Sequence, residues 1–233
     1  MKTMNSIFRA FILAAGFSAG LAQAQNIPYN FTATVITWDP AFQVNGTFTD
    51  GDTTPGGQIV DYASGLLEIT GSDSSGTFTF NALCVEPTDA FPGPLLYKGA
   101  DLSGVPNYQQ VAKLVGGYLQ NVGSAVDPGL ETAAVQWAIW EVVADTSGTY
   151  SLSQDAGNVY VIPGGISGDH PDTDLQVITR ANQYLAAMNS FNSANLVYLT
   201  SVGNQDVVTW NIPEPGTAGL LALSVLGFLR RRR

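Results

Sequence analysis

Residues 131–141 read ETAAVQWAIWE, a stretch in which almost every position is apolar. Asp127 and Pro128 precede it, and these residue types are typical of a helix N-cap and first helical position. An Asp-Thr-Ser-Gly turn supplies the stop, so the sequence predicts a helix over residues 128–144. A helix that is apolar on most sides is buried rather than amphipathic. Gln136 is therefore expected as a lone primary amide among aromatic and aliphatic side chains.

The only cysteine, Cys84, ends a strand-like alternation of apolar residues. Because side chains alternate along a strand, its thiol should share the inward face with Phe78 and Phe80. A single cysteine excludes an internal disulfide. The thiol must then be buried, paired with another chain or chemically committed. A buried thiol at Cys84 and a buried amide at Gln136 could meet in this fold.

The N-terminus has the three parts of a secretory signal peptide. Residues 1–9 are basic, residues 10–21 are apolar, and Ala22-Gln23-Ala24 is a small-x-small cleavage site. The apolar run is too short to span a bilayer as a permanent anchor. The sequence therefore predicts a signal peptide over residues 1–24 and an exported chain.

The charge of the exported body excludes some classes of partner. Residues 25–212 contain three basic residues against eighteen acidic ones, which gives a net charge of about −15. Such a body repels nucleic acid and anionic membrane surfaces, so neither is expected as a partner. Apolar residues make up 45% of the chain, which indicates a packed core rather than disorder.

The first part of the body, residues 25–84, is rich in strand-forming residues. Phe, Tyr, Thr and Val dominate five segments separated by turn residues. The predicted strands are 29–38, 42–49, 58–62, 66–70 and 77–84. An antiparallel β-sandwich or barrel is the natural product.

A helical insertion is predicted over residues 107–146. After a Pro- and Gly-rich crossing at 87–106, apolar residues recur at helical spacing from Val111 to Val122. Gly116 and Gly117 would each cost that helix about 1 kcal/mol relative to alanine. Either another backbone approaches closely there or the helix is interrupted.

Further strands and one helix are predicted over residues 149–212. Short strands are expected at 150–152 and 159–162, and segments 195–202 and 205–212 should form a hairpin about Gly203-Asn204. The helix, about 174–190, would carry an apolar stripe of Leu175, Ile178, Leu185 and Met188. The predicted fold class is therefore α+β, an antiparallel β-sandwich or barrel with an inserted helical subdomain.

Two local patterns resemble the thioester domains of bacterial surface adhesins. They are Leu83-Cys84-Val85 and the run Val-Gln-Trp-Ala-Ile-Trp at residues 135–140. In that family an aromatic residue or leucine precedes the cysteine, and the glutamine lies in a Thr-Gln-x-Ala-aliphatic-Trp motif. Val135 stands where the family usually has threonine. The run at 108–118 also looks like the family's preceding helix, so the resemblance covers residues 80–146.

The resemblance implies that Cys84 and Gln136 condense with loss of ammonia into an internal thioester. An amine on a surface or polymer would attack the former glutamine carbonyl and become tethered by an amide bond. No turnover follows, so the protein is not expected to be an enzyme, and no cofactor is needed. The alternatives are a buried thiol beside a hydrogen-bonded glutamine in a non-covalent component of an exopolysaccharide matrix, or a carbohydrate-binding β-sandwich.

The C-terminal tail, residues 213–233, consists of Pro213-Glu214-Pro215, an apolar run at 217–229 and four arginines. This order resembles the PEP-CTERM sorting signal, which exosortases of Gram-negative, exopolysaccharide-producing bacteria recognise. The resemblance implies exosortase as a processing partner, transient anchoring in the inner membrane by a C-terminal helix, and a destination in the envelope, surface or matrix. The alternative is an ordinary C-terminal membrane anchor.

Other candidate site residues have plainer explanations. The only histidine, His170, could act as a general base, but it lies in an Asp-His-Pro-Asp segment typical of a turn and N-cap. Two groups of aspartates are dense enough for calcium without matching an EF-hand loop: Asp50 and Asp52, and Asp169, Asp172 and Asp174. They are expected to be turn carboxylates, and no metal site is predicted.

Overall fold

The computed structural model describes residues 30–38, 43–48, 60–74, 76–86, 95–145, 147–153, 159–161 and 171–210. The signal peptide and the tail with Pro213, Glu214 and Pro215 lie outside these ranges, as do His170 and the aspartates at 50, 52 and 169. Predictions about those residues are therefore outside the described part of the chain.

The described residues form nine strands and three α-helices in an α+β arrangement, as predicted. The strands are β1 (Asn30–Trp38), β2 (Gln43–Phe48), β3 (Val60–Ala63), β4 (Leu67–Asp73), β5 (Gly76–Cys84), β6 (Leu95–Ala100), β7 (Val159–Val161), β8 (Val197–Thr200) and β9 (Val207–Thr209). The helices are α1 (Tyr108–Asn121), α2 (Pro128–Ala144) and α3 (Pro171–Ala187).

Six strands close into an antiparallel barrel in the order β1-β4-β5-β9-β8-β6. Period-2 alternation decides which side chains fill it: Phe31, Ala33, Leu67, Ile69 and Phe80 are buried. The register of β5 with β9 sets Cys84 opposite Val207. A second antiparallel sheet has the order β3-β2-β7. The end of the cysteine strand is thus joined to the last described strand, more than a hundred residues later.

Strand β6 lies within the segment predicted as an irregular crossing. Leu95 and Tyr97 face the core while Leu96 and Lys98 are exposed, which is a short but clean alternation. The prediction of a strand at 150–152 is wrong for a different reason. The peptide N–H of Ser151 donates to Glu141 and that of Leu152 to Asn182, so side chains satisfy both donors, and a single backbone bond, from Val161 to the Leu152 carbonyl, joins the segment to β7.

Helix α1 is continuous, and its two glycines mark a close approach of another segment. A Cβ on Gly116 would lie 1.8 Å from the carbonyl oxygen of Asn192, and one on Gly117 would lie 2.4 Å from the ring of Phe191. The peptide N–H of Ala194 also donates to the carbonyl of Ala112 at 2.8 Å. The first of the two predicted explanations, close backbone approach, is therefore correct.

Helix α2 has the predicted bounds, with Asp127 accepting the peptide N–H of Leu130 as its N-cap. It packs between α1 and α3 and contacts β5 and β7. Every residue from Glu131 to Val142 is buried, which accounts for a sequence that is apolar on most sides. The helix thereby carries Gln136 into the interior beside the cysteine strand.

The apolar stripe predicted for α3 is correct at Leu185 and Met188, which are buried, and wrong at the start of the helix. Leu175 is 50% exposed, because Arg180 and Tyr184 turn the helix so that both reach Glu131 of α2. The buried residues of this helix and its last turn are Asp174, Val177, Ala181, Tyr184, Leu185 and Met188. Across the described ranges, no helix combines the length and apolar character needed to cross a bilayer.

Candidate functional site

Cys84 is the last residue of β5 and is completely buried. Leu83 and Val85 on either side are buried as well. The ladder with β9 continues for one more hydrogen bond, from the peptide N–H of Val85 to the carbonyl of Asp206 at 3.0 Å. The thiol is therefore held on rigid backbone at the end of a paired strand.

Gln136 and Cys84 meet, but through the backbone of the cysteine. The Gln136 side chain donates from Nε2 to the Cys84 carbonyl at 2.8 Å and accepts the Cys84 peptide N–H on Oε1 at 2.9 Å. The donor and the acceptor of the Gln136 amide are thus both used by the backbone of Cys84. Because Gln136 is 0% exposed, this clamp fixes the end of β5 to helix α2 in a site without competing water.

The thiol itself contacts a different glutamine. Cys84 Sγ donates to Oε1 of Gln205 at 2.9 Å, and Gln205 is only 5% exposed. Tyr97 donates its hydroxyl to the Gln205 carbonyl at 3.1 Å, which fixes the backbone of that residue. Gln205 lies between the turn at Gly203 and strand β9, within the segment predicted to form the closing hairpin, and no local motif marks it as a site residue.

Two carboxylates lie beside this thiol and amide. Asp206 accepts the Tyr198 hydroxyl and the Ser201 peptide N–H, the latter at 2.9 Å. Its own peptide N–H points at Glu86 Oε2 at 3.4 Å. Glu86 is half-buried, and its charge acts on the Cys84 thiol.

The surroundings keep the thiol protonated. Burial raises the pKa of Cys84 well above its ordinary value, and the charge of Glu86 adds to this shift. Burial likewise raises the pKa of Tyr97, with the neighbouring Cys84 and Asp206 contributing. At neutral pH the site therefore contains a neutral thiol and neutral phenols beside two carboxyl groups.

A second polar cluster ties α2 to α3. Arg180 donates to both oxygens of Glu131, at 2.8 and 3.0 Å, and Tyr184 donates to the same carboxylate. The hydrogen bond to Glu131 raises the pKa of Arg180. The pair borders an open cavity of about 560 Å³ whose rim includes Val126 and Gln176. Paired charges of this kind fix the orientation of the two helices.

A metal centre is not found in the part of the chain that the structure describes, where no three His, Cys, Asp or Glu side chains gather around one point. Asp174, which was predicted to be a turn carboxylate, lies within α3 instead, where it is fully buried and has an interaction partner.

Comparison with known families identifies one segment. Residues 211–233 match the PEP-CTERM protein-sorting motif. The segment includes Pro213, Glu214 and Pro215, so the predicted sorting signal is confirmed, and it marks an exported protein of the cell envelope. The motif is consistent with exosortase processing. A comparison with curated proteins found no significant match.

Two solved structures resemble the chain at low identity. One is the N-terminal domain of the pilus tip adhesin Cpa from Streptococcus pyogenes, with 15% identity, coverage of 78% of this chain and 100% of that chain, and a TM-score of 0.43. The other is the N-terminal thioester domain of the fibronectin-binding protein SfbI from Streptococcus pyogenes, with 11% identity, coverage of 81% and 100%, and a TM-score of 0.42.

Proposed function

We propose that this exported envelope protein stores an internal thioester between Cys84 and Gln205 and uses it to form an amide bond with an amine-bearing target. The observation that carries the proposal is the 2.9 Å contact between Cys84 Sγ and Gln205 Oε1 in a site closed to water. A nucleophile and an acyl group held this closely react as an intramolecular pair.

Gln205 is a better acyl donor than Gln136, the partner expected from the sequence. Both ends of the Gln136 amide are used by the peptide groups of Cys84, so its reaction with the sulfur would break two buried hydrogen bonds. The Gln205 side chain, in contrast, already contacts the sulfur through its Oε1. In this proposal Gln136 positions the cysteine and Gln205 supplies the carbonyl. The Cys84–Gln136 thioester stays a prediction, and the labelling experiment below distinguishes it from the Cys84–Gln205 thioester.

Formation of the thioester replaces the amide nitrogen of Gln205 with the sulfur of Cys84 and releases ammonia. Cys84 loses its thiol proton, Sγ attacks Cδ of Gln205, and the C–N bond of the primary amide breaks. The departing nitrogen takes up the proton and leaves as ammonia, so no oxidant, reductant or cofactor is needed. Because burial raises the pKa of the thiol, the proton must be removed during the attack rather than before it.

Reaction with the target is a second acyl transfer at the same carbon, in which nitrogen attacks and sulfur leaves. A primary amine attacks Cδ of Gln205, the C–S bond breaks, and the amine proton passes to the departing sulfur. The product is an amide between the target and the Gln205 side chain, together with a free Cys84 thiol. Each molecule reacts once, so the protein is a covalent binder and not an enzyme.

Burial is what would allow such a bond to persist. A thioester hydrolyses in water, and the neighbourhood of Cys84 excludes it: Leu83, Val85 and Val207 are all buried. The covalent link suits an envelope location, because a surface protein attached to its target is exposed to shear. A covalent bond withstands shear that would break a reversible contact. An amine-bearing surface or polymer is the proposed partner, with exosortase as the processing enzyme and a transient membrane anchor in the tail.

Labelling with methylamine tests the proposal. Wild-type protein should incorporate methylamine with release of one thiol, and fragmentation should place the methylamide on Gln205. Cys84→Ala and Gln205→Ala should incorporate none, because each lacks one half of the bond. Gln136→Ala removes the two hydrogen bonds to the Cys84 backbone but keeps both halves of the bond, so it should still place the methylamide on Gln205, although more slowly.

Two outcomes would contradict this assignment. A methylamide found on Gln136 would establish the pairing expected from the sequence and refute the role of Gln205. If freshly purified wild type has its full calculated mass and incorporates no methylamine, the covalent proposal fails. The alternative is then a non-covalent component of the exopolysaccharide matrix, which retention on polysaccharide would test.

A further inference from the structure

The open cavity of about 560 Å³ is formed by the helices rather than by the end of the cysteine strand. Its lining comes from the end of α1 and the turn that follows, from the start of α2, and from α3. These residues differ from the partners of Cys84, Gln136 and Gln205 described above. Small-molecule sites occupy roughly 300–1,000 Å³, so the cavity has the size of a binding site of its own.

A fixed ion pair forms part of the cavity lining. Arg180 donates from Nε and from one terminal nitrogen to the two oxygens of Glu131, at 2.8 and 3.0 Å. Its other terminal nitrogen donates to Gln183, and its guanidinium carbon lies 4.9 Å from the centre of the Tyr184 ring. The Arg180 side chain is nevertheless 29% exposed, so the pair is accessible. It offers N–H donors and carboxylate acceptors side by side in one plane.

Most of the other lining residues are uncharged. Asn121 and Gln176 contribute amides, and Ser124 contributes a hydroxyl. Apolar surface lies among them, because Val126 is fully exposed and Leu130 is half-buried. The cavity thus combines hydrogen-bonding groups of both kinds with a small apolar patch.

The charges of the lining disfavour ionic ligands. Asp127 and Glu131 would repel an anion, as would a body whose net charge is about −15. The hydrogen bond to Glu131 raises the pKa of Arg180, so its guanidinium stays charged and opposes a cation. A purely apolar ligand would remove water from the amides and carboxylates without replacing their hydrogen bonds. A neutral molecule that carries many hydroxyl groups fits the lining best.

We propose that this cavity binds a neutral saccharide. Adjacent hydroxyl groups of a sugar ring each donate and accept, so they match the paired donors and acceptors of Arg180 and Glu131. The C–H face of the ring would pack on Val126 and Leu130. The inference does not depend on the thioester. It gives the exported protein a reversible contact with a neutral glycan at a second place on its surface.

A printed oligosaccharide array tests the proposal with mature protein that carries Cys84→Ala, so that no thioester can capture a sugar amine. The array holds neutral gluco-, galacto- and N-acetylglucosamine oligosaccharides, together with acidic oligouronates and cationic chitosan oligosaccharides. We expect retention on at least one neutral series and on neither charged series. Added salt should leave this retention unchanged, because the contact uses no attraction between net charges.

Two substitutions in the same background place the binding in the cavity. Gln176→Trp should lower the affinity for the retained oligosaccharide on the order of 10-fold in titration calorimetry, because the larger side chain narrows the cavity. Arg180→Lys keeps the charge but loses the planar fork, so a loss of about the same size is expected. Gln109→Trp is the matched control: Gln109 is also an exposed helical glutamine, but it lies outside the lining, and its affinity should equal that of the parent.

Retention on no neutral oligosaccharide would refute the proposal, and so would a preference for oligouronates or chitosan oligosaccharides. Affinity that Gln176→Trp leaves unchanged would place the saccharide elsewhere on the protein and refute the cavity as its site. None of these results bears on the thioester, which methylamine labelling of the wild type tests separately.

Discussion

Gln136→Met is expected to lower the free energy of unfolding by about 3–5 kcal/mol when both proteins also carry Cys84→Ala. Methionine has a similar length and volume, so the loss does not come from a cavity. It comes from the peptide N–H and carbonyl of position 84, which Gln136 satisfies at 2.9 and 2.8 Å in a fully buried site. Urea unfolding followed by tryptophan fluorescence measures the difference.

The Cys84→Ala background is needed because a thioester would itself stabilise the fold by joining residues far apart in the chain. Gln205→Met in the same background is the matched control. Its amide has lost the thiol partner there, so the substitution should cost less than about 1 kcal/mol. If the two glutamine substitutions cost the same, Gln136 does not clamp the cysteine strand as described.

Gly116→Ala is expected to destabilise the protein by about 3 kcal/mol, in spite of the gain of about 1 kcal/mol that alanine brings to a helix interior. The new methyl group would lie 1.8 Å from the carbonyl oxygen of Asn192, and a backbone atom cannot rotate away as a side chain can. The segment that contains Asn192 leads into β8 and then to Gln205, so methylamine incorporation should slow as well.

Gly123→Ala provides the control for this substitution. Gly123 follows the same helix, and a Cβ there would meet nothing within 4 Å. Its effect on the free energy of unfolding should be within about 0.5 kcal/mol. A Gly116→Ala protein as stable as wild type, measured by the same urea titration, would show that the 191–194 segment can shift away from α1.

Local patterns predicted those parts of the fold that depend on local physics. The bounds of α2 followed from Asp127, Pro128 and the turn after residue 144, and five of the six barrel strands followed from local strand and turn patterns, β6 being the exception. Elements set by distant contacts were harder. The rotation of α3 follows from the hydrogen bonds of Tyr184 and Arg180 to Glu131, which no periodicity within α3 contains.

The same difference between local patterns and distant contacts explains why only part of the site could be predicted. Cys84 and Gln136 could be singled out because each lies in an apolar stretch with a recognisable local pattern, and they do come together. Gln205 could not, because its approach to the sulfur depends on the pairing of β5 with β9 across 121 residues. The only local sign of Gln205 is its place two residues before the buried run at 207–209.

The most direct test of the account is the intact mass of freshly purified mature protein, measured beside Cys84→Ala and Gln205→Ala. If the thioester forms, the wild type is lighter than the mass calculated from its sequence by one molecule of ammonia. Both variants should have their full calculated masses, and methylamine should convert the wild type to an adduct with a free thiol. A wild-type protein that has its full mass and never takes up methylamine would contradict the account.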